Sequence, residues 1–333
     1  MRFAVLSAGS WGTTYAAVLA DAGNDVLVHA RRPEIADAIN TRHENPSYLP
    51  GVRLPHTLRA TSDPAQALAD ADVAVISIPA QSLRANLAAW APHLDERTAV
   101  VSLMKGIETD TGMRMSEVIQ ETAALPVERI AVLSGPNLAR EIAMKNPAAS
   151  VIASSDEELA QALQAASATP YFRPYTNTDV VGCELGGAVK NVIALATGLA
   201  TGLGLGDNAT ALLMTRGLAE TARLGAVLGA DPLTFAGLTG VGDLVATCAS
   251  PLSRNRTFGT HLGRGMTVAE ATTATSQTPE GVKSAGALLS LARRHRVEMP
   301  ITEVVVGVVE AQLTASKAAE LLMSRTPKPE MYT

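Results

Sequence analysis

The residues best suited to chemistry lie far apart along the chain. In "GGAVKNVIALATG", Lys190 has Gly186, Gly187, Ile193 and Ala194 as helical neighbours one turn away. A solvated lysine normally sits among polar groups. Here the surroundings are small and apolar, and burial of that kind lowers a lysine pKa until the group is a usable proton donor near neutrality. Asn191 beside it has the donors and acceptor to bond a hydroxyl or a carbonyl. A lysine that snorkels out to water is the bland alternative. In "GVGDLVATCASPLSRNRTFG", Gly240 and Gly242 predict a flexible, open turn before Asp243. Ser253, Arg254, Asn255 and Arg256 then follow as a group. A guanidinium fork flanked by amide and hydroxyl donors suits a small phosphorylated ligand, although a plain basic helix end reads the same way. Lys105 in "SLMKGIE" and Asn137 in "SGPN" each follow a strand-like run, at the sheet edge where ligands bind.

A dinucleotide site is suggested at the N-terminus. The stretch "RFAVLSAGSWGTTYAAVLADAG" is a strand, a turn and a helix, and Ser7 stands where the G-x-G-x-x-G fingerprint has its first glycine. Gly9 and Gly12 keep the second and third positions, which admit the pyrophosphate and let helix and strand pack closely. The helix starting near Ser10 offers unpaired N–H groups and a positive dipole end to an anion. The second strand ends "DVLVHARRPE", with Ala30, Arg31 and Arg32 where an NAD-selective site usually has an acid. Nothing there repels a 2′-phosphate, and a guanidinium pairs with one. NADPH is the expected cofactor, with NADH as the alternative; a solvated arginine pair is the bland reading.

These groups need a scaffold. Short apolar runs at "RFAVLS", "DVLVHA", "DVAVISIPA", "TAVVSLMKG" and "RIAVLSGP" alternate with helical stretches, which predicts a parallel sheet covered on both faces. "AASVIASS" and "YFRPYTNTD" are expected to complete it. From "VGCELGGAVKNVIALATG" onward the periodicity is helical. The expected architecture is α/β: a Rossmann-type doubly wound domain over 1–179, then an all-helical substrate domain over 180–333, with a frayed tail "SRTPKPEMYT".

At 333 residues the chain is long enough for both. Its net charge of −5 argues against nucleic acid or an anionic membrane as partner. The N-terminus lacks a signal-peptide pattern, and no apolar run approaches the roughly 18 residues of a membrane span. Cys183 and Cys248 show no metal-like spacing and are expected to stay reduced. A soluble, cytoplasmic protein without a metal is expected.

Taken together, "AGSWGT", "MKGIE", "SGPNLAREIA", "GGAVKNVIA", "GLTGVGDLVATC", "SPLSRNRTFG" and "PEGVKSA" resemble, in order, the motifs of the bacterial NAD(P)-dependent sn-glycerol-3-phosphate dehydrogenases, over essentially the whole chain. The resemblance implies reversible reduction of dihydroxyacetone phosphate to sn-glycerol 3-phosphate for phospholipid synthesis, by a homodimer. It makes Lys190 the proton donor and acceptor, and Asn191 and Thr247 further active-site polar groups. It implies substrate contacts at Lys105, Gly135, Asn137, Lys190, Asp243, Ser253, Arg254 and Asn255. Cofactor contacts would be Ser10, Trp11, Arg31, Arg32, Lys105, Ala139, Arg254, Thr278 and Glu280, beside the glycines at 9 and 12. Two residues depart from the family pattern: Ser7, which bears on cofactor affinity, and Met104, which bears on packing. Two rivals share parts of this pattern. One is another two-domain β-hydroxyacid dehydrogenase acting on a carboxylate; the other is an NADPH-sensing protein without catalysis.

Overall fold

The structure is a computed structural model that describes residues 1–275 and 279–324. The apolar runs form strands because their side chains are buried on both faces, and each ends at a small or polar residue where the chain must turn. In chain order the strands are β1 (Arg2–Leu6), β2 (Asp25–His29), β3 (Glu44–Asn45), β4 (Leu49–Arg53), β5 (Arg59–Thr61), β6 (Val73–Ile76), β7 (Ala99–Ser102), β8 (Ile130–Ser134), β9 (Ala148–Ser154) and β10 (Phe172–Asn177). Eight of them make one sheet in the order β10-β9-β8-β7-β6-β1-β2-β5, and β3 and β4 form a separate hairpin.

The chain builds outward from β1 through β2 and β5, then returns to β6 on the other side. β1 therefore lies between parallel partners, with Leu6 opposite both His29 and Ile76. The crevice at the carboxyl ends of β1 and β6 is the topological switch point, where a doubly wound sheet binds its ligand. One apolar cluster packs around Phe3, Tyr15, Val75 and Phe172, and another around Leu6, Ile76, Leu83 and Met115. Met104 joins the second.

Three expectations need correction. β9 pairs antiparallel with β8, and β10 follows β9, so the last two strands join the sheet reversed. The helix between β8 and β9, Ala139–Ala143, has five residues and rises only about 8 Å, too little to carry the chain back along the sheet for a parallel return. The short strand β5 and the β3–β4 hairpin were not expected at all. Lastly, the helix Val180–Gly202 is long and apolar enough to cross a membrane by length and composition. Most of it is buried inside the protein, with Glu184 and Asn191 among its buried residues, so it is the central helix of a second core.

That second core is helical and gathers Leu185, Val192, Leu195, Phe235, Phe258 and Leu288. The helix Arg254–Gly263 crosses the central helix at backbone contact distance. A Cβ on Gly198 would stand 2.1 Å from the Arg256 carbonyl oxygen, and one on Gly259 would stand 2.2 Å from that of Leu195. Only glycine permits so close a crossing. Cys183 and Cys248 are buried free thiols.

Candidate active site

Lys105, Lys190 and Asp243 come from three segments and meet in one ion cluster. Lys105 stands on the loop after β7, Lys190 on the central helix, and Asp243 at the first position of the helix Asp243–Ala249. Lys190 Nζ donates to Asp243 Oδ1 at 2.9 Å and to Thr247 Oγ1 at 2.7 Å. Lys105 Nζ donates to Asp243 Oδ2 at 2.6 Å and to the Gly135 carbonyl at 2.8 Å. Thr247 Oγ1 also donates to Asp243 Oδ1 at 3.2 Å, one helical turn away.

Glycines make room for this cluster. A Cβ on Gly187 would stand 3.2 Å from Lys105 Cγ, and one on Gly186 would stand 2.2 Å from the Thr239 carbonyl oxygen. The turn before Asp243 is not open. Leu238–Gly242 forms a π-helical turn, and Gly240 is packed so tightly that a Cβ there would lie 2.0 Å from the Phe235 carbonyl oxygen. Such turns recur where a helix must aim a functional side chain.

Two cations share one carboxylate, and the Asp243 side chain is 1% exposed. Burial alone would raise the Asp243 carboxyl, but the two ammonium groups together outweigh it and hold it below the usual carboxylate range. Burial lowers Lys105 to about 8; Asp243 opposes that shift, and Lys190 adds to it. The cluster therefore carries one net positive charge, suited to an anionic ligand or to an oxygen that gains negative charge.

Polar contacts extend from this cluster. Asn191 Nδ2 reaches the Lys105 carbonyl at 3.4 Å. Asn255 Nδ2 donates to Asn191 Oδ1 at 2.9 Å, and the Gly281 N–H donates to Asn255 Oδ1 at 3.0 Å. Glu280 precedes Gly281 and accepts from the Ala80 N–H at 3.3 Å, just beyond the end of β6. Burial pushes the Glu280 carboxyl up, against the pull of Lys283, the Ala80 N–H and Arg254. Arg254 itself is exposed, on the rim beside the buried Asn255. The Ser253 hydroxyl caps the helix that Arg254 begins, accepting from the Arg256 N–H at 3.3 Å. Gly135 has a φ of 128°, a conformation that favours glycine. Asn137 takes a hydrogen bond from the Ser150 hydroxyl, while its own buried Nδ2 has no partner among the described residues.

The fingerprint turn forms a second group. The helix Ser10–Asp21 starts after Gly9 with no side-chain cap, so its first N–H groups are left for a ligand. Gly12 fits only as glycine, since a Cβ would lie 2.4 Å from the Ser7 carbonyl oxygen and 3.2 Å from Ser77 Cβ. Ser7 has a φ of 157°, at the edge of extended backbone, and its hydroxyl accepts from the Gly9 N–H at 3.0 Å. The Trp11 indole N–H is buried without a partner among the described residues. These features fit a dinucleotide pyrophosphate. Ser10 donates to the Tyr48 carbonyl at 2.8 Å, and Arg32 lies over the Tyr48 ring at 5.6 Å. Arg31 is exposed beside it. Ala139 borders the same helix, its carbonyl accepting from Thr14 Oγ1 at 3.2 Å. Thr278 lies outside the described residues.

Sequence reasoning missed Tyr48, the Ala80 N–H and the ion pair between Arg114 and the buried Glu184. Glu184 had a legible signal, because a lone carboxylate in "VVGCELGGAV" must find a partner if the run is buried.

The families described as NAD-dependent glycerol-3-phosphate dehydrogenase N-terminus and C-terminus match residues 2–160 and 179–320. A glycerol-3-phosphate dehydrogenase (NAD(P)+) of Streptomyces griseus is 62% identical over 330 residues, covering 99% of this chain and 98% of its own. That of Thermobifida fusca is 62% identical over 332 residues, covering 99% of each chain. Among solved structures, glycerol-3-phosphate dehydrogenase from Coxiella burnetii superposes with a TM-score of 0.92 at 37% identity, covering 97% of this chain and 99% of that one.

Proposed function

The chain belongs to the NAD-dependent glycerol-3-phosphate dehydrogenase family and is an NAD(P)-dependent oxidoreductase; from that premise we propose that Lys190 is the proton donor and acceptor as dihydroxyacetone phosphate and sn-glycerol 3-phosphate interconvert. The observation that carries this reading is the sharing of one buried carboxylate, Asp243, by Lys190 and Lys105.

When bound, the dinucleotide supplies or accepts the hydride. As negative charge develops on the ketone oxygen, the Lys190 ammonium stabilises it and gives up a proton. Thr247 and Asp243 aim that ammonium, and Asp243 compensates its burial. Lys105 is a second cation at the same oxygen, and Asn191 orients the carbonyl or hydroxyl. Gly135, Asn137, Ser253, Arg254 and Asn255 are assigned to the rest of the substrate. Arg254 takes its phosphate, so that binding energy far from the reacting carbon positions it.

Gly9, Ser10, Trp11 and Gly12 would hold the pyrophosphate, and Arg31 and Arg32 the 2′-phosphate of NADPH. Ala139, Thr278, Glu280, Lys105 and Arg254 would complete the cofactor contacts. Residues 1–179 would then serve the dinucleotide and residues 180–333 the substrate. A cytoplasmic homodimer that supplies glycerol 3-phosphate to phospholipid synthesis is the cellular setting we assign.

Protein, NADPH and dihydroxyacetone phosphate are mixed and nicotinamide absorbance is followed. Lys190→Ala is expected to cut turnover by about 10²- to 10⁴-fold, the usual worth of a general acid, while its NADPH Kd stays within about twofold, roughly 0.4 kcal/mol, of the parent. Turnover near the parent rate would remove Lys190 from the role.

A further inference from the structure

Glu184 is buried, at 4% exposure, six residues before Lys190 on the same helix. Its partners all come from the sheet half of the molecule. Oε1 accepts from the Ser116 N–H at 2.8 Å, and Oε2 accepts from Ser116 Oγ and Arg114 Nη1, each at 2.6 Å. Arg114 is itself held by Glu117, with its backbone N–H and Nη2 each donating at 2.8 Å. The Arg114 backbone also pairs with Ile107 in an isolated antiparallel bridge. Ile107 is two residues beyond Lys105.

A short path therefore joins the two catalytic lysines: Lys105 to Ile107, across the bridge to Arg114, across the ion pair to Glu184, and about 9 Å up the helix to Lys190. We propose that the Arg114–Glu184 pair is a positioning device for the reaction, which sets the register of the Lys190 helix against the Lys105 loop so that both ammonium groups meet Asp243. Apolar contacts allow helices to slide by fractions of a turn. A carboxylate holding three directed hydrogen bonds, one from a guanidinium, does not. The central helix presses small residues toward this loop, Gly187 against Lys105 among them, so side-chain bulk is not what sets the register there.

The inference rests on the role proposed for Lys190, and the test separates the two. Glu184→Gln keeps the shape of the side chain and removes its charge. Its kcat is expected to fall about 10- to 100-fold, with the NADPH Kd unchanged by calorimetry and the midpoint of the alkaline limb of kcat moved by at least half a pH unit, because the spacing of Lys105, Asp243 and Lys190 changes. Glu184→Asp should recover part of the lost rate. A merely structural pair predicts a lower Tm with parent kcat and pH profile at a temperature where the variant is folded, and that result overturns the proposal. If Glu184→Gln does not fold, Ser116→Ala, which removes one of the three hydrogen-bond donors to Glu184 and leaves the backbone N–H of residue 116 and Arg114, carries the same readings with a roughly threefold loss of kcat; an unchanged kcat and pH profile there also overturn it. Loss of activity in Lys190→Ala with parent behaviour in these variants sinks the positioning device alone, whereas an active Lys190→Ala sinks the mechanism beneath it.

Discussion

Asp243 holds two ammonium groups at once, and that arrangement governs how the site responds to pH. Burial loosens the Lys105 proton, lowering its pKa to about 8. Above that pH it loses its charge, Asp243 loses one partner, and the cluster no longer attracts an oxygen gaining negative charge. Ketone reduction is therefore expected to decline with a midpoint near pH 8 in a kcat/KM profile at saturating NADPH. A profile flat well beyond that midpoint would show that Lys105 is not a charge the reaction uses. Ser7, by contrast, holds the first fingerprint position at a φ of 157°, with its hydroxyl accepting from the Gly9 N–H.

Two elements are placed by contacts that admit little change. The helix carrying Asn255 lies against the central helix only because Gly198 and Gly259 lack side chains. Gly259→Ala would press a methyl to 2.2 Å from the Leu195 carbonyl oxygen. A loss of about 1–3 kcal/mol or more is expected in denaturant unfolding, with a raised KM for dihydroxyacetone phosphate as Asn255 moves. The helix Pro300–Val309 is held differently, by the buried Glu220, whose carboxylate accepts from the Ile301 N–H at 2.7 Å and from the Thr302 N–H at 3.3 Å. Burial pushes Glu220 up to about 7. Its folded pKa is thus raised above the unfolded value, and the native state binds the extra proton between about pH 4.5 and 7. The stability Glu220 contributes is present below that window and is lost as pH rises through it. Unfolding of the parent and Glu220→Gln, compared across the window, should show the parent losing ground as pH increases; a constant difference would refute the assignment.

On the scale of the whole molecule, the proposed site forms where two cores meet at one edge of the sheet. The dinucleotide turn, Lys105 and Gly135 belong to the sheet, while Lys190, Asp243, Asn255 and Glu280 belong to the helices. Arg31 and Arg32 follow β2, three strands along the sheet from β7, which precedes Lys105, so on the proposed assignment cofactor choice and chemistry are separable. Arg31→Ala is expected to lower the preference for NADPH over NADH by about tenfold, roughly 1.4 kcal/mol, with kcat for the better cofactor nearly unchanged. An unmoved ratio would assign the 2′-phosphate to another group. What the amino-acid sequence determined by itself was everything carried by local pattern: the apolar runs of the strands, the fingerprint turn, the long helical stretch, and the one lysine, Lys190, whose small neighbours mark it out. The tertiary structure alone decided the reversal of β9 and β10, the π-helical turn before Asp243, the double pairing of that carboxylate, and the union of Arg114 with Glu184. The reason is physical. Hydrophobic period and turn chemistry act over a few residues and can be read in a row of letters, whereas a buried charge is defined by its partners, and those stand 53, 70 and 138 residues away.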